Sequence, residues 1–277
     1  MQAIFKRIIS ITAAAMLCGA VLTGCSGTNG GSADSTTETS ATNAPSSAPA
    51  EGIWSYSADY PDIANFKMPA DGEKVAVMTV KDFGTIKIKL FWDEAPAGAD
   101  NFARLAEMGY YDGLIYHRII NGFMNQGGDP TGTGTAGEGA DGKKFDGGIT
   151  KNAYHFSGAV AYANAGTATQ NGSQFYIVNT PDGGIDDDTI DMVERYFYQR
   201  FGVEYSYGSV GDLYKKIGGT PSLDVPLTEG GYTVFGQVYE GLDIVRAIGA
   251  VQTDASDRPV TDVVIENVKI EKYSSAK

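Results

Sequence analysis

Hydrophobic and polar residues alternate along KVAVMTVKDFGTIKIKLF, Lys74 to Phe91. Ile86, Ile88 and Leu90 fall on one face, Lys87 and Lys89 on the other, and Asp82-Phe83-Gly84 supplies a turn, so the stretch is predicted to be a β-hairpin. The period changes in DEAPAGADNFARLAEMGYYDG. Pro96 fits a first helical turn, Asp93 or a neighbour is a candidate cap, and Phe102, Leu105, Ala106 and Met108 form an apolar stripe that stops at Gly109. From Leu114 to Val178 short strands alternate with glycine-rich loops. YTVFGQVYEG then reads as strand and turn, LDIVRAIGAV as a short helix, and VTDVVIENVKIEKY as a closing strand. One segment breaks this rhythm. Asp186 to Gly202 has Ile190, Val193, Phe197 and Phe201 at helical spacing behind an acidic first turn, and VGDLYKKIGG adds a second short helix. Many short strands with few helices, and 36 glycines against 10 prolines, favour a mainly β body: a barrel capped by helices.

The N-terminus follows different rules. Lys6 and Arg7 precede an apolar run from Ile8 to Val21 that is short for a bilayer span, and Leu22-Thr23-Gly24-Cys25 resembles a lipobox. The expectation is a lipoprotein signal peptide over 1–24, with Cys25 lipidated. Residues 25–52, rich in Ser, Thr, Gly and Ala, would form a disordered tether. The folded domain would occupy 53–277, with an insertion at about 181–225. Losing Lys6 and Arg7 with the signal, and no acid, takes the formal charge from −13 to −15. So acidic a body is a poor nucleic-acid binder. Cys18 would leave with the signal and Cys25 would carry lipid, which leaves no pair for a disulfide. The expected location is extracytoplasmic, on the cell membrane.

The remaining chemistry is sparse. The two histidines, His117 and His155, sit in no metal-ligand motif, no G-x-S-x-G elbow is present, and the glycine-rich stretch 127–142 lacks the G-K-[ST] of a phosphate loop. His117 reads as a hydrogen-bonded structural histidine, and the acidic run at 186–188 as a helix cap rather than a calcium loop. What stands out is Arg118. It lies in an apolar run, YHRIINGFMNQGGDP, with no following carboxylate before Asp129. Phe123, Met124 and Gln126 follow it. A second cluster, AYANAGTATQNGSQFYI, offers low alanine walls with Asn164, Gln174 and Tyr176. An apolar floor, a few fixed polar groups and glycine rims describe a groove for an extended peptide.

YHRIINGFMNQGGDPTGTGT, then ANAGTATQNGSQFYI, then YTVFGQVYEGLDIV together resemble a cyclophilin, with three motifs in the family's order. The resemblance covers about residues 74–180 and 226–273. It implies a closed eight-stranded antiparallel barrel with a helix at each end, and peptidyl-prolyl cis-trans isomerase activity without metal or cofactor. Its clients would be proline-containing polypeptides, here secreted proteins being folded. It also implies roles: Arg118 as catalytic donor; Phe123, Met124 and Tyr176 as proline pocket; Gln126 and Asn164 gripping the substrate backbone; Ala163, Ala165 and Gln174 as groove wall. Leu227 and Tyr232 fall on the pocket rim, where relatives carry other aromatic or histidine residues, so cyclosporin binding is expected to be weak. The alternative expectation is a module or holdase that grips proline-containing chains without turnover. A solute-binding lipoprotein would share the anchor but leaves the three motifs without a role.

Overall fold

A computed structural model of the chain describes residues 53–149, 152–225 and 231–276. The signal peptide, the tether with Cys25, and Leu227 lie outside the described residues. Among the described residues, no helix is long and apolar enough to cross a membrane.

Eight strands form one antiparallel sheet: β1 (Lys74–Val80), β2 (Gly84–Leu90), β3 (Arg118–Ile120), β4 (Met124–Gly127), β5 (Ala159–Tyr162), β6 (Phe175–Val178), β7 (Val234–Glu240) and β8 (Ile265–Lys272). Their spatial order is β3-β4-β6-β5-β7-β2-β1-β8. The predicted hairpin is β1–β2, paired from Val75↔Lys89 to Val80↔Gly84. Its turn needs the left-handed backbone of Asp82, at φ 65°, a conformation Asp tolerates better than most side chains do.

The expected closed barrel is corrected to an open one, a half-barrel. β3 and β8 lie at opposite ends of the order and share no ladder. The segments entering them are clipped instead, through the isolated bridge Ile115↔Val264 and the Tyr116 N–H to Val263 C=O bond of 3.0 Å. With three residues, β3 is too short to continue that clip as a ladder. The Ile119 N–H bonds instead to the carbonyl of Asp257, which is itself left-handed at φ 64°.

Helix α1 (Pro96–Glu107) buries Phe102, Leu105 and Ala106. Phe102 joins an aromatic core, with ring centroids 4.9 Å from Tyr111, 5.5 Å from Phe175 and 5.1 Å from Phe235. Burying each such ring is worth about 1.5–3 kcal/mol. Two expectations for this helix change. Its N-cap is Ala95, with no side-chain bond, rather than Asp93. Met108 is the C-cap and is exposed, because Gly109 turns the chain away before Met108 reaches the core. Lys89 also departs from its polar face: it is buried, its Nζ 3.4 Å from the Met68 carbonyl, and desolvation pulls its pKa down.

The insertion folds as predicted into two helices, α2 (Asp187–Phe201) and α3 (Ser209–Ile217). Asp186 caps α2, accepting from the Thr189 N–H at 2.8 Å, and Gly202 ends it in the left-handed region. Ile190, Val193 and Phe197 are buried, as are Tyr207, Leu213 and Tyr214, while Phe201 is only half-buried. The insertion thus buries aromatic residues of its own, with the Tyr207 ring against Tyr205 and Tyr214. Helix α4 (Leu242–Gly249) packs against β2, β3 and β4. Its Val245 carbonyl accepts from Asn125 Nδ2 at 2.8 Å, which fixes the back of β4.

Candidate active site

Register assembles the site. Arg118 pairs with Gln126, Gln126 with Tyr176, and Tyr176 with Ala161, giving one row across β3, β4, β6 and β5. Directly opposed residues project from the same face of a sheet. Arg118, Gln126 and Tyr176 therefore stand side by side on one face, and Met124, two residues before Gln126, shares it. Ile119, Asn125 and Ile177 project to the other face and are buried.

Arg118 is not without a carboxylate, and this corrects the sequence reading. Its Nη2 lies 3.5 Å from Asp257 Oδ2, with the two side chains 26% and 28% exposed. The contact is long and partly solvated, so it orients the guanidinium more than it neutralises it. Asp257 is 139 residues away in sequence and arrives on the segment that clips β3.

Gln126 is held by a second amide. Its Nε2 donates to Gln174 Oε1 at 3.0 Å, while Gln174 Nε2 donates to the Ala136 carbonyl at 2.7 Å. The loop carrying Ala136 is wound around Asp129, whose carboxylate accepts from the Thr131 N–H at 2.7 Å and the Ala136 N–H at 3.1 Å. Burial pushes the Asp129 pKa up, but these bonds outweigh it and hold the carboxyl below its usual range. Gly128, at φ 83°, is required by the fold itself: a Cβ there would lie 2.5 Å from the Ser173 carbonyl. The segment entering β6 thus approaches Gly128 closely.

Phe123, Met124 and Tyr176 are nearly buried, 6%, 2% and 4% exposed. Tyr232 sits against Tyr176, with ring centroids 6.0 Å apart in edge geometry. Desolvation raises the pKa of both phenols, which keeps them neutral donors. The Ala163 N–H bonds to the Gln174 carbonyl at 3.0 Å.

Asn164 uses its side chain within its own loop. Its Oδ1 accepts from the Gly166 and Thr167 N–H groups at 2.8 and 2.9 Å, and its Nδ2 donates to Asn171 Oδ1 at 3.0 Å. That side chain is committed to shaping its loop. His117 differs from expectation: it is buried, but among the described residues neither ring nitrogen has a hydrogen-bond partner. Two clefts of about 300 and 450 Å³ lie elsewhere, beside Trp92 and beside Phe83, and share no residue with the row.

Three residues around the site escaped the sequence reading: Asp257, His155 and Asp224. His155 Nε2 lies 2.8 Å from the Tyr176 hydroxyl, and its Nδ1 lies 2.7 Å from Asp224 Oδ1. Nothing in the local sequence marks these contacts; the only available signal was that histidine is rare in this chain.

Residues 75–270 match the family model described as cyclophilin type peptidyl-prolyl cis-trans isomerase/CLD. The chain is similar to a Staphylococcus haemolyticus protein provisionally named peptidyl-prolyl cis-trans isomerase, at 38% identity over 214 residues, 77% of this chain and 98% of the relative. A Staphylococcus aureus protein with the same provisional name is 37% identical over 215 residues, 78% of this chain and 100% of the relative. Among solved structures, the chain is similar to a Cryptosporidium parvum cyclophilin type peptidyl-prolyl cis-trans isomerase crystallised in the presence of the dipeptide Ala-Pro. That match has a TM-score of 0.53 and 26% identity, and covers 72% of this chain and 99% of the other.

Proposed function

Because this chain belongs to the cyclophilin-type peptidyl-prolyl cis-trans isomerase family, we propose that Arg118 is its catalytic donor and that it acts on X-Pro bonds of polypeptides outside the cytoplasm. The observation that carries the site assignment is the row Arg118–Gln126–Tyr176, set by register alone.

The reaction asks little covalent chemistry of the protein. Rotation about the peptide bond is opposed by a resonance barrier of about 18–20 kcal/mol, and X-Pro exchange takes tens to hundreds of seconds unaided. As the amide twists, its nitrogen becomes pyramidal and gains a lone pair. A donor aimed at that nitrogen binds the transition state more tightly than either ground state, the condition for acceleration. Arg118 supplies such a donor from a partly desolvated wall. Phe123, Met124 and Tyr176 would seat the proline ring, and Gln126, held by Gln174, would fix the substrate backbone. Tyr232 closes one side of the pocket, and Leu227 is assigned to its rim by resemblance. With no large aromatic at Leu227, cyclosporin would bind weakly.

Lipidation at Cys25 would place this domain at the outer face of the membrane, where secreted chains emerge unfolded. The lipobox and the tether composition support that reading.

A protease-coupled assay of the full chain on a proline peptide tests the activity. Acceleration that falls at least about 100-fold in Arg118→Ala, the scale of losing one oriented donor, is expected. Folded wild-type protein that binds proline peptides without accelerating exchange would leave only the binding-module reading. Loss of membrane association in Cys25→Ser tests the anchor.

A further inference from the structure

We infer that His155 and Asp224 are positioning residues for the proline pocket: they hold the Tyr176 hydroxyl away from the substrate and so wire the helical insertion into specificity. The inference rests on Tyr176 lining that pocket, as proposed above.

The chain of contacts is short and buried. Tyr176, His155 and Tyr214 are 4%, 1% and 0% exposed. The Tyr176 hydroxyl lies 2.8 Å from His155 Nε2, and the two rings are stacked, 14° from parallel. His155 Nδ1 lies 2.7 Å from Asp224 Oδ1, and the His155 backbone N–H donates to the same oxygen at 2.9 Å. On the other carboxylate oxygen, the Tyr214 hydroxyl of α3 donates. Tyr207 lies 3.3 Å from that oxygen, but its single proton is better placed on the Pro221 carbonyl at 2.5 Å.

Proton accounting fixes the direction of these bonds. Among the described residues the His155 backbone N–H and the Tyr214 hydroxyl donate to the Asp224 carboxylate, and its Oδ1, 2.7 Å from His155 Nδ1, accepts there too, so His155 carries a proton on Nδ1. In the neutral ring Nε2 is then an acceptor, and the Tyr176 hydroxyl is the donor to it. A phenol hydroxyl on the floor of an apolar pocket would otherwise be a polar group buried under substrate without a partner, which is costly. His155 removes that cost by drawing the hydroxyl toward the insertion. The ring is left facing the groove, in the row with Gln126 and Arg118. Asp224 belongs to the insertion, and the tautomer it imposes is what makes His155 an acceptor.

A role confined to stapling the insertion predicts lost stability only. A positioning role predicts a split in kinetic constants and a specific rescue. In the full chain, His155→Leu should raise KM for an Ala-Ala-Pro-Phe anilide by about five- to tenfold, the low end for one orphaned hydroxyl, with kcat within about twofold. Adding Tyr176→Phe removes the orphan and should return KM most of the way. Asp224→Asn keeps the shape and should raise KM in the same sense. It should also remove the downfield proton resonance of the His155 Nδ1–H. An unchanged KM in folded His155→Leu, or a raised KM that Tyr176→Phe does not relieve, overturns the inference. Should wild-type protein show no turnover, NMR titration with the same peptide reads the pocket directly. The same affinity loss and rescue are then required, so failure of the isomerase reading stays distinct from failure of this one.

Discussion

Arg118 reaches Asp257 at 3.5 Å across a half-solvated gap, so the one cation of the candidate groove row is tethered without being neutralised. Pairs of this exposure are worth roughly 0–1 kcal/mol. Asp257→Asn keeps a residue that tolerates φ 64° and should change kcat/KM by less than about fivefold, each tenfold being about 1.4 kcal/mol. Arg118→Ala should cost at least about 100-fold. A comparable collapse in both variants would make the pair, rather than the guanidinium alone, the active unit.

The amide relay gives a different signature. Gln126 Nε2 is held by Gln174, which in turn holds the Ala136 carbonyl. Gln174→Ala frees Gln126 and unties the glycine loop, and substrate grip should suffer more than the chemical step. KM should rise about three- to tenfold, the range for one or two lost neutral hydrogen bonds, with kcat nearly unchanged. Steady-state kinetics at several peptide concentrations separates the two constants, and a pure kcat loss would contradict the assignment.

The local features were legible in the sequence, and the reason is range. Alternation gave β1 and β2, and Pro96, Gly109, Asp186 and Gly202 mark helix ends through bonds within a few residues. Arg118, Phe123, Met124 and Gln126 are contiguous enough that a hairpin alone sets their faces. The partners that finish the site come from far along the chain: Asp257 is 139 residues from Arg118, and Asp224 is 69 from His155. No periodicity encodes such meetings. The same limit applies to Lys89, which alternation places on a polar face and which the segment at Met68 then covers. It applies again to the open sheet, where the Ile119 N–H of β3 bonds to the carbonyl of the distant Asp257 rather than to β8.

Gly128 tests whether the loop glycines serve the fold. A Cβ at φ 83° would be strained and would lie 2.5 Å from the Ser173 carbonyl, with Phe175 at 3.0 Å. Backbone atoms do not yield as a flexible side chain does. Gly128→Ala should therefore destabilise by more than about 2 kcal/mol, combining left-handed strain with overpacking. The urea midpoint measures it. A near-neutral result would mean that β6 moves aside, and catalysis would then be the property to suffer.

His117 makes a pH prediction whose sign follows from its burial. Desolvation lowers its pKa from 6.5, Arg118 and Arg258 push the same way, and Asp129 opposes them. The native ring is thus neutral where the unfolded chain already takes up a proton. Between the depressed folded pKa and about 6.5, the unfolded state binds more protons, so stability rises with pH there. The contribution is whole above about pH 6.5 and is lost as pH falls through that window. Asp129, held below its ordinary 3.8, titrates lower and does not interfere. His117→Phe removes the titrating group and sacrifices no hydrogen bond that the described residues make. The wild-type urea midpoint should drop more than the variant's between about pH 7.5 and about pH 5.5, the two ends bracketing the free imidazole value. Equal drops would show that His117 is protonated equally in both states, and the unpartnered buried ring would then need a proton acceptor that appears only in solution.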